Sequence, residues 1–174
     1  MYDKSLTLRS IYLKKVFISS LAPTAYMERA NPEVVTYTLR ADWDEQSGAE
    51  ITTRGITIKV DLPPEFGGLG RHLAPDELFL GAIAGCLMIT FLHFRKTNRL
   101  KLRFLQCTIS GRRVQTGQGY RLQDIRATLR IRVDKDQVDV GRKCIELARN
   151  YCPLLADLSS PLKIDVEGEI EVAS

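Results

Sequence analysis

The chain has 174 residues, 44% of them hydrophobic and 26% charged, which suits a single folded unit with a substantial apolar core. Its 25 basic residues against 21 acidic ones give a net charge of +4 without a run of five like charges, so nucleic-acid binding is not indicated. Four cysteines without a C-x-x-C pair, and only two histidines, His72 and His93, supply neither a disulfide scaffold nor a zinc set; the composition suits a reducing compartment.

Residues 1–33 begin with scattered basic side chains, Lys4, Arg9, Lys14 and Lys15, and then a stretch at 16–21 that is too short for the apolar core of a secretory signal. They read as a flexible or strand-forming extension. Residues 34–40 alternate, with Val35, Tyr37 and Leu39 on one face, the period of a half-buried strand. A polar turn at 44–49 and a second alternating run at 56–61 make a hairpin. The prolines and glycines of 62–70 rule out regular structure there.

Pro75, Asp76 and Glu77 then read as the first turn of a helix, because proline is tolerated there and acidic side chains oppose the positive end of the dipole. Residues 78–94 contain no charge and reach the lower edge of membrane-spanning length, with Gly81 and Gly85 spaced as in touching membrane helices. The amphipathic strands on either side need an apolar partner, which favours a core helix buried on every side, within sheets or between two copies. After it come a strand at 100–110, a glycine-containing loop at 111–119, a strand at 127–133, a helix at 136–151 stopped by Pro153, and an amphipathic strand at 162–172. Strands and helices in this order, without repeats, indicate a hairpin-rich α+β domain.

Gly67-Gly68, Ala74-Pro75-Asp76-Glu77-Leu78, Ala82-Ile83-Ala84-Gly85-Cys86 and, much later, Tyr151-Cys152-Pro153 before a strand resemble the OsmC/Ohr family of hydroperoxide reductases. The resemblance implies an α+β fold, antiparallel sheets wrapped around a long buried central helix, over one domain at 34–174 that pairs as an intertwined homodimer. It further implies a cytoplasmic thiol peroxidase without cofactor or metal. Its substrate is an organic hydroperoxide, its reductant an external dithiol, and it has no nucleic-acid or membrane partner. The family's reactive cysteine matches Cys86 and its resolving cysteine matches Cys152. The family's acidic partner, usually glutamate directly after the proline, falls on Asp76, with Glu77 next to it. The family's arginine has no secure match, and Arg40, Arg54 and Arg71 are the local candidates. A homodimer of this fold that has no peroxidase activity and binds an apolar ligand or partner is the alternative reading.

Peroxide reduction requires a thiolate, and an apolar environment alone works against one. Cys86 stands ten residues beyond Asp76, about 15 Å along a helix axis, out of range of the dipole. A cation must therefore approach Cys86, and arginine suits because it stays charged when partly buried. If Asp76 or Glu77 orients that cation, a partner chain or folded-back loop must bring it. A substrate pocket is expected around Leu87, Phe91 and Leu154. Cys107 and Cys144 are expected to be packing residues, His93 a core histidine, and Arg126, Arg130 and Arg132 an outer strand face, solvated or paired with Glu167, Glu169 and Glu171.

Overall fold

Three short antiparallel strands, β1 (Arg40–Trp43), β2 (Gly48–Thr53) and β3 (Ile56–Asp61), form a meander in that order. The structure, a computed structural model, describes residues 34–172 apart from Gln118; residues 1–33 of the expected extension lie outside it. Residues 34–38 carry no regular structure, and a compact unit begins at Leu39. The strand expected at 34–40 is thus displaced to β1. In the register of the sheet Arg40 lies opposite Thr52, one residue from the end of β2. The turn that ends β2 has both central residues at positive φ, Arg54 at 50° and Gly55 at 77°, as the twist of a two-residue hairpin demands. β2 itself was hidden in the sequence, where its first residues read as part of a polar turn.

Asp61, at the end of β3, is 1% exposed and ties the following loop to the sheet. Its carboxylate accepts hydrogen bonds from Ser47 Oγ at 2.6 Å, Leu62 N at 2.9 Å, Arg71 N at 3.0 Å and Arg71 Nε at 2.8 Å. Arg71 also pairs with Asp44 in the β1–β2 turn. The Arg71 guanidinium and the Ser47 hydroxyl hold the Asp61 carboxyl far below the usual carboxylate range despite its burial. Within the loop Gly68 is required sterically, because a Cβ there would lie 1.9 Å from the Leu62 carbonyl oxygen.

The long helix α1 (Pro75–Thr97) begins as expected, with Pro75 in its first turn. Ala74 offers no side-chain cap, but Glu77 reaches back to accept the Ala74 N–H at 2.8 Å. Its apolar length would suffice to cross a membrane. One face instead packs into the fold: Ile83, Leu87, Phe91 and Phe94 are buried. Within one chain the opposite face stays open, with Phe79, Ile89 and Leu92 40%, 70% and 41% exposed.

Two 15-residue strands, β4 (Leu102–Thr116) and β5 (Gly119–Val133), form a separate antiparallel hairpin across α1. The loop expected at 111–119 is mostly strand. Gly111 marks a bulge rather than an end, the register shifting between Ser110 and Arg112 opposite Asp124, which has a φ of 54°. Helix α2 (Val138–Tyr151) buries Gly141, Cys144 and Ala148, and α3 (Pro153–Leu158) follows without a gap beyond Cys152. Phe91, Phe94, Leu100, Cys144 and Ala148 form one core cluster with Leu105, Leu129 and Ile131. Burial of each such phenylalanine is worth about 1.5–3 kcal/mol. Residues 162–172, expected as a strand, carry no regular structure and are exposed, and none of the described strands pairs with them.

Candidate active site

A second cluster contains Ile83, Leu87 and Cys152, all buried, with Cys86, Ile109, Leu154 and Leu155 packed against them. The two cysteines thus meet, although 66 residues separate them in the chain. Local sequence explains each position. At 100° per residue, Cys86 falls between the buried face of α1, with Ile83 and Leu87, and the exposed stripe with Ala82 and Ile89. Cys152 sits at the break between α2 and α3, where Pro153 holds the preceding residue in an extended conformation, φ −69° and ψ 117°. That break turns a 1%-exposed thiol toward α1.

Both thiols are free in this structure. Burial pushes the Cys152 thiol up from its ordinary value, opposed by the Leu155 and Leu154 N–H groups, while the neighbouring Cys86 thiol pushes it further up. Burial also pushes up Cys107 and Cys144, for the latter against the nearby charge of Lys143. Neither belongs to the Cys86 cluster.

Asp76 does not join the cysteines. Its carboxylate is gripped by Arg113 of β4, whose guanidinium also lies 5.8 Å from the Phe66 ring centroid; Phe66 in turn meets Tyr120 edge-on at 5.0 Å. Glu77 caps the helix and has its own task there. Strand β4 runs antiparallel to α1, with Arg113 at Asp76, Gly111 beside Leu80 and Ile109 in the cysteine cluster. Arg113 is thus four strand residues, about 13 Å, from the level of Cys86. The candidates Arg40, Arg54 and Arg71 are placed elsewhere: Arg40 bonds Asp42, Arg71 bonds Asp61 and Asp44, and Arg54 lies in the β2–β3 turn. Arg113 escaped sequence reasoning because its segment read as loop, although its position near the end of a strand that crosses the helix start was the available signal. Leu87 and Leu154 flank the cysteines, whereas Phe91, fully buried in the other cluster, cannot line a pocket there.

A model of the family described as OsmC-like protein matches residues 68–167, a stretch that contains Asp76, Cys86, Arg113 and Cys152. The chain is 24% identical over 140 residues to the uncharacterized protein YmaD of Bacillus subtilis (strain 168), covering 77% of this chain and 93% of that one. Its fold is similar to that of an OsmC-like protein from Mycoplasma pneumoniae, with TM-score 0.63 and 19% identity over 72% of this chain and 88% of the other. It is also similar to an organic hydroperoxide resistance protein from Elizabethkingia anophelis with bound thiocyanate, with TM-score 0.58 and 19% identity over 71% and 89% of the two chains.

Proposed function

The chain belongs to the OsmC-like protein family, and from that premise we propose that it is a cytoplasmic, homodimeric thiol peroxidase that reduces organic hydroperoxides with Cys86 and Cys152. Family membership, and a fold shared with a hydroperoxide resistance protein, support a peroxide-related stress function. The observation that carries the finer reading is the meeting of Cys86 and Cys152 in one apolar cluster.

In the proposed cycle the Cys86 thiolate attacks the terminal oxygen of the hydroperoxide. The O–O bond breaks, the alkoxide leaves and takes a proton as alcohol, and Cys86 becomes a sulfenic acid. The Cys152 sulfur then attacks Cys86 Sγ, forming a disulfide and releasing water. An external dithiol returns both to thiols, taking up the oxidation as its own disulfide. The surrounding leucines and isoleucines favour an alkyl-bearing peroxide over hydrogen peroxide.

The homodimer is supported by what one chain leaves open. The exposed stripe of α1 carries Phe79, Ile89 and Leu92 together with Gly81 and Gly85, and a Cβ at either glycine would meet nothing within 4 Å. Gly81 lies five residues from Asp76 and five from Cys86. An antiparallel crossing of two α1 helices centred on Gly81 therefore brings the Asp76–Arg113 pair of one copy level with Cys86 of the other, the cation that a thiolate requires. The second reading, a homodimer that binds an apolar ligand or partner without peroxidase activity, is favoured by the gap between Arg113 and Cys86 in a single chain. Peroxide consumption with dithiothreitol and cumene hydroperoxide separates them. The proposal expects turnover that Cys86→Ser abolishes; a fully folded protein without turnover supports the binder.

A further inference from the structure

Two aromatic rings stand beside the Asp76–Arg113 pair and take no part in the cycle above. Phe66 ends a single helical turn, Pro64–Phe66, in the loop before α1, and Tyr120 lies at the start of β5. Their centroids are 5.0 Å apart with the ring planes at 80°, and the Arg113 guanidinium lies 5.8 Å from the Phe66 centroid. The hairpin register brings the third member in: Arg113 pairs with Leu122 and Gln115 with Tyr120, so Arg113 and Tyr120 are diagonal neighbours on one face.

The loop that carries Phe66 is braced. The Phe66 and Gly68 N–H groups donate to the Pro63 carbonyl at 3.0 and 3.1 Å, and the Gly70 N–H donates to the Leu62 carbonyl at 3.1 Å. Gly70, with a φ of 62°, packs so closely that a Cβ there would lie 2.7 Å from Pro64 Cδ. Arg71, next in the chain, is bonded through its main chain and its guanidinium to the buried Asp61 carboxylate. Phe66 and Tyr120 nevertheless keep 39% and 49% of their surface open. Fixed backbone, open ring surface and an adjacent cation together have the form of a preorganised receptor. Two rings near a right angle offer a face and an edge to a third, the arrangements that aromatic groups prefer.

We propose that Phe66 and Tyr120 form a seat for the aryl group of a hydroperoxide, which makes this chain selective for aryl-bearing alkyl hydroperoxides over saturated ones. The inference rests on the peroxidase and dimer of the proposed function, in which Arg113 of one copy comes level with Cys86 of the other. In cumene hydroperoxide a single carbon separates the ring from the oxygens. A ring resting on Phe66 therefore leaves the O–O group within reach of the guanidinium that lies beside that same phenylalanine. The seat grips the ring alike before and during the reaction, so its contribution falls on KM and not on kcat.

Steady-state peroxide consumption with dithiothreitol tests this, comparing kcat/KM for cumene hydroperoxide and for its saturated cyclohexyl analogue. Wild type should prefer the aryl substrate. Phe66→Leu and Tyr120→Leu should each lower that preference about three- to tenfold through KM, whereas Phe66→Tyr and Tyr120→Phe, which keep a ring, should retain it. If Phe66 serves only to steady Arg113, Phe66→Leu lowers kcat for both peroxides alike and the preference stays; that result overturns the seat and leaves the peroxidase in place. Calorimetric titration with the alcohol formed from cumene hydroperoxide reads the seat without turnover. A wild type that binds this alcohol, loses it in Phe66→Leu and consumes no peroxide would keep the seat and overturn the peroxidase. A wild type with neither aryl preference nor alcohol binding overturns the seat.

Discussion

The carboxylate of Asp76, in the first turn of α1, is held by the guanidinium of Arg113, 37 residues later in β4. This pair fixes the start of the central helix against the hairpin and places a permanent cation at the surface of the chain, its side chain 35% exposed. In the proposed dimer that cation serves the partner's Cys86. Arg113→Gln should therefore lower kcat/KM for cumene hydroperoxide by about tenfold or more, with Arg113→Lys between the two, since lysine keeps the charge but not the fork that holds Asp76. Steady-state peroxide consumption reads both; equal activity in all three proteins would remove Arg113 from the mechanism.

Cys152 is predicted to act after Cys86. In Cys152→Ser, peroxide should still convert Cys86 to a sulfenic acid, but the acid should persist, accept dimedone and over-oxidise with excess peroxide. Intact-mass spectrometry reads each adduct. A buried serine replaces a 1%-exposed thiol, so a loss of about 1–3 kcal/mol in stability is expected beside the chemical effect. An oxidised Cys86 that forms a disulfide in this variant would assign the resolving role to Cys107 or Cys144.

Gly85 separates the needs of the chain from those of the assembly. Nothing lies within 4 Å of a Cβ added there. Gly85→Leu should accordingly stabilise the isolated helix by about 0.5–1 kcal/mol through propensity. In the proposed dimer the same leucine obstructs the close approach of a second α1 helix. The prediction is a folded monomer with little peroxidase activity; a fully active dimer would show that this stripe is not the contact.

The elements legible in sequence were those whose signals are local. Pro75 with Asp76 and Glu77 marked the start of α1, and Pro153 marked the break that orients Cys152. Where pairing decides, local pattern misled. Residues 34–39 alternate like a strand but carry no regular structure, and Gly111 read as a loop although the strand continues through a bulge to Thr116. The same misreading hid Arg113, which lies in that extension. The cysteine pair was reached only through resemblance, because the chain between Cys86 and Cys152 imposes no distance on them.

Acid should loosen the loop before α1. The folded-state pKa of Asp61 is depressed by Arg71 and Ser47, so the stability it contributes is complete above its ordinary value, near pH 4, and is lost as pH falls below it. Asp61→Asn should be less stable than wild type at pH 7, with the difference narrowing below about pH 4. Urea unfolding at several pH values measures this. A difference independent of pH would mean that Asp61 acts through shape and not charge.

The most direct test of the central claim is a count of free thiols in the denatured chain after one equivalent of cumene hydroperoxide. Four cysteines are free beforehand. The account predicts that two disappear, that peptide mapping joins Cys86 to Cys152, and that Cys107 and Cys144 stay reduced. Four thiols remaining, or a disulfide that omits Cys86, would contradict it.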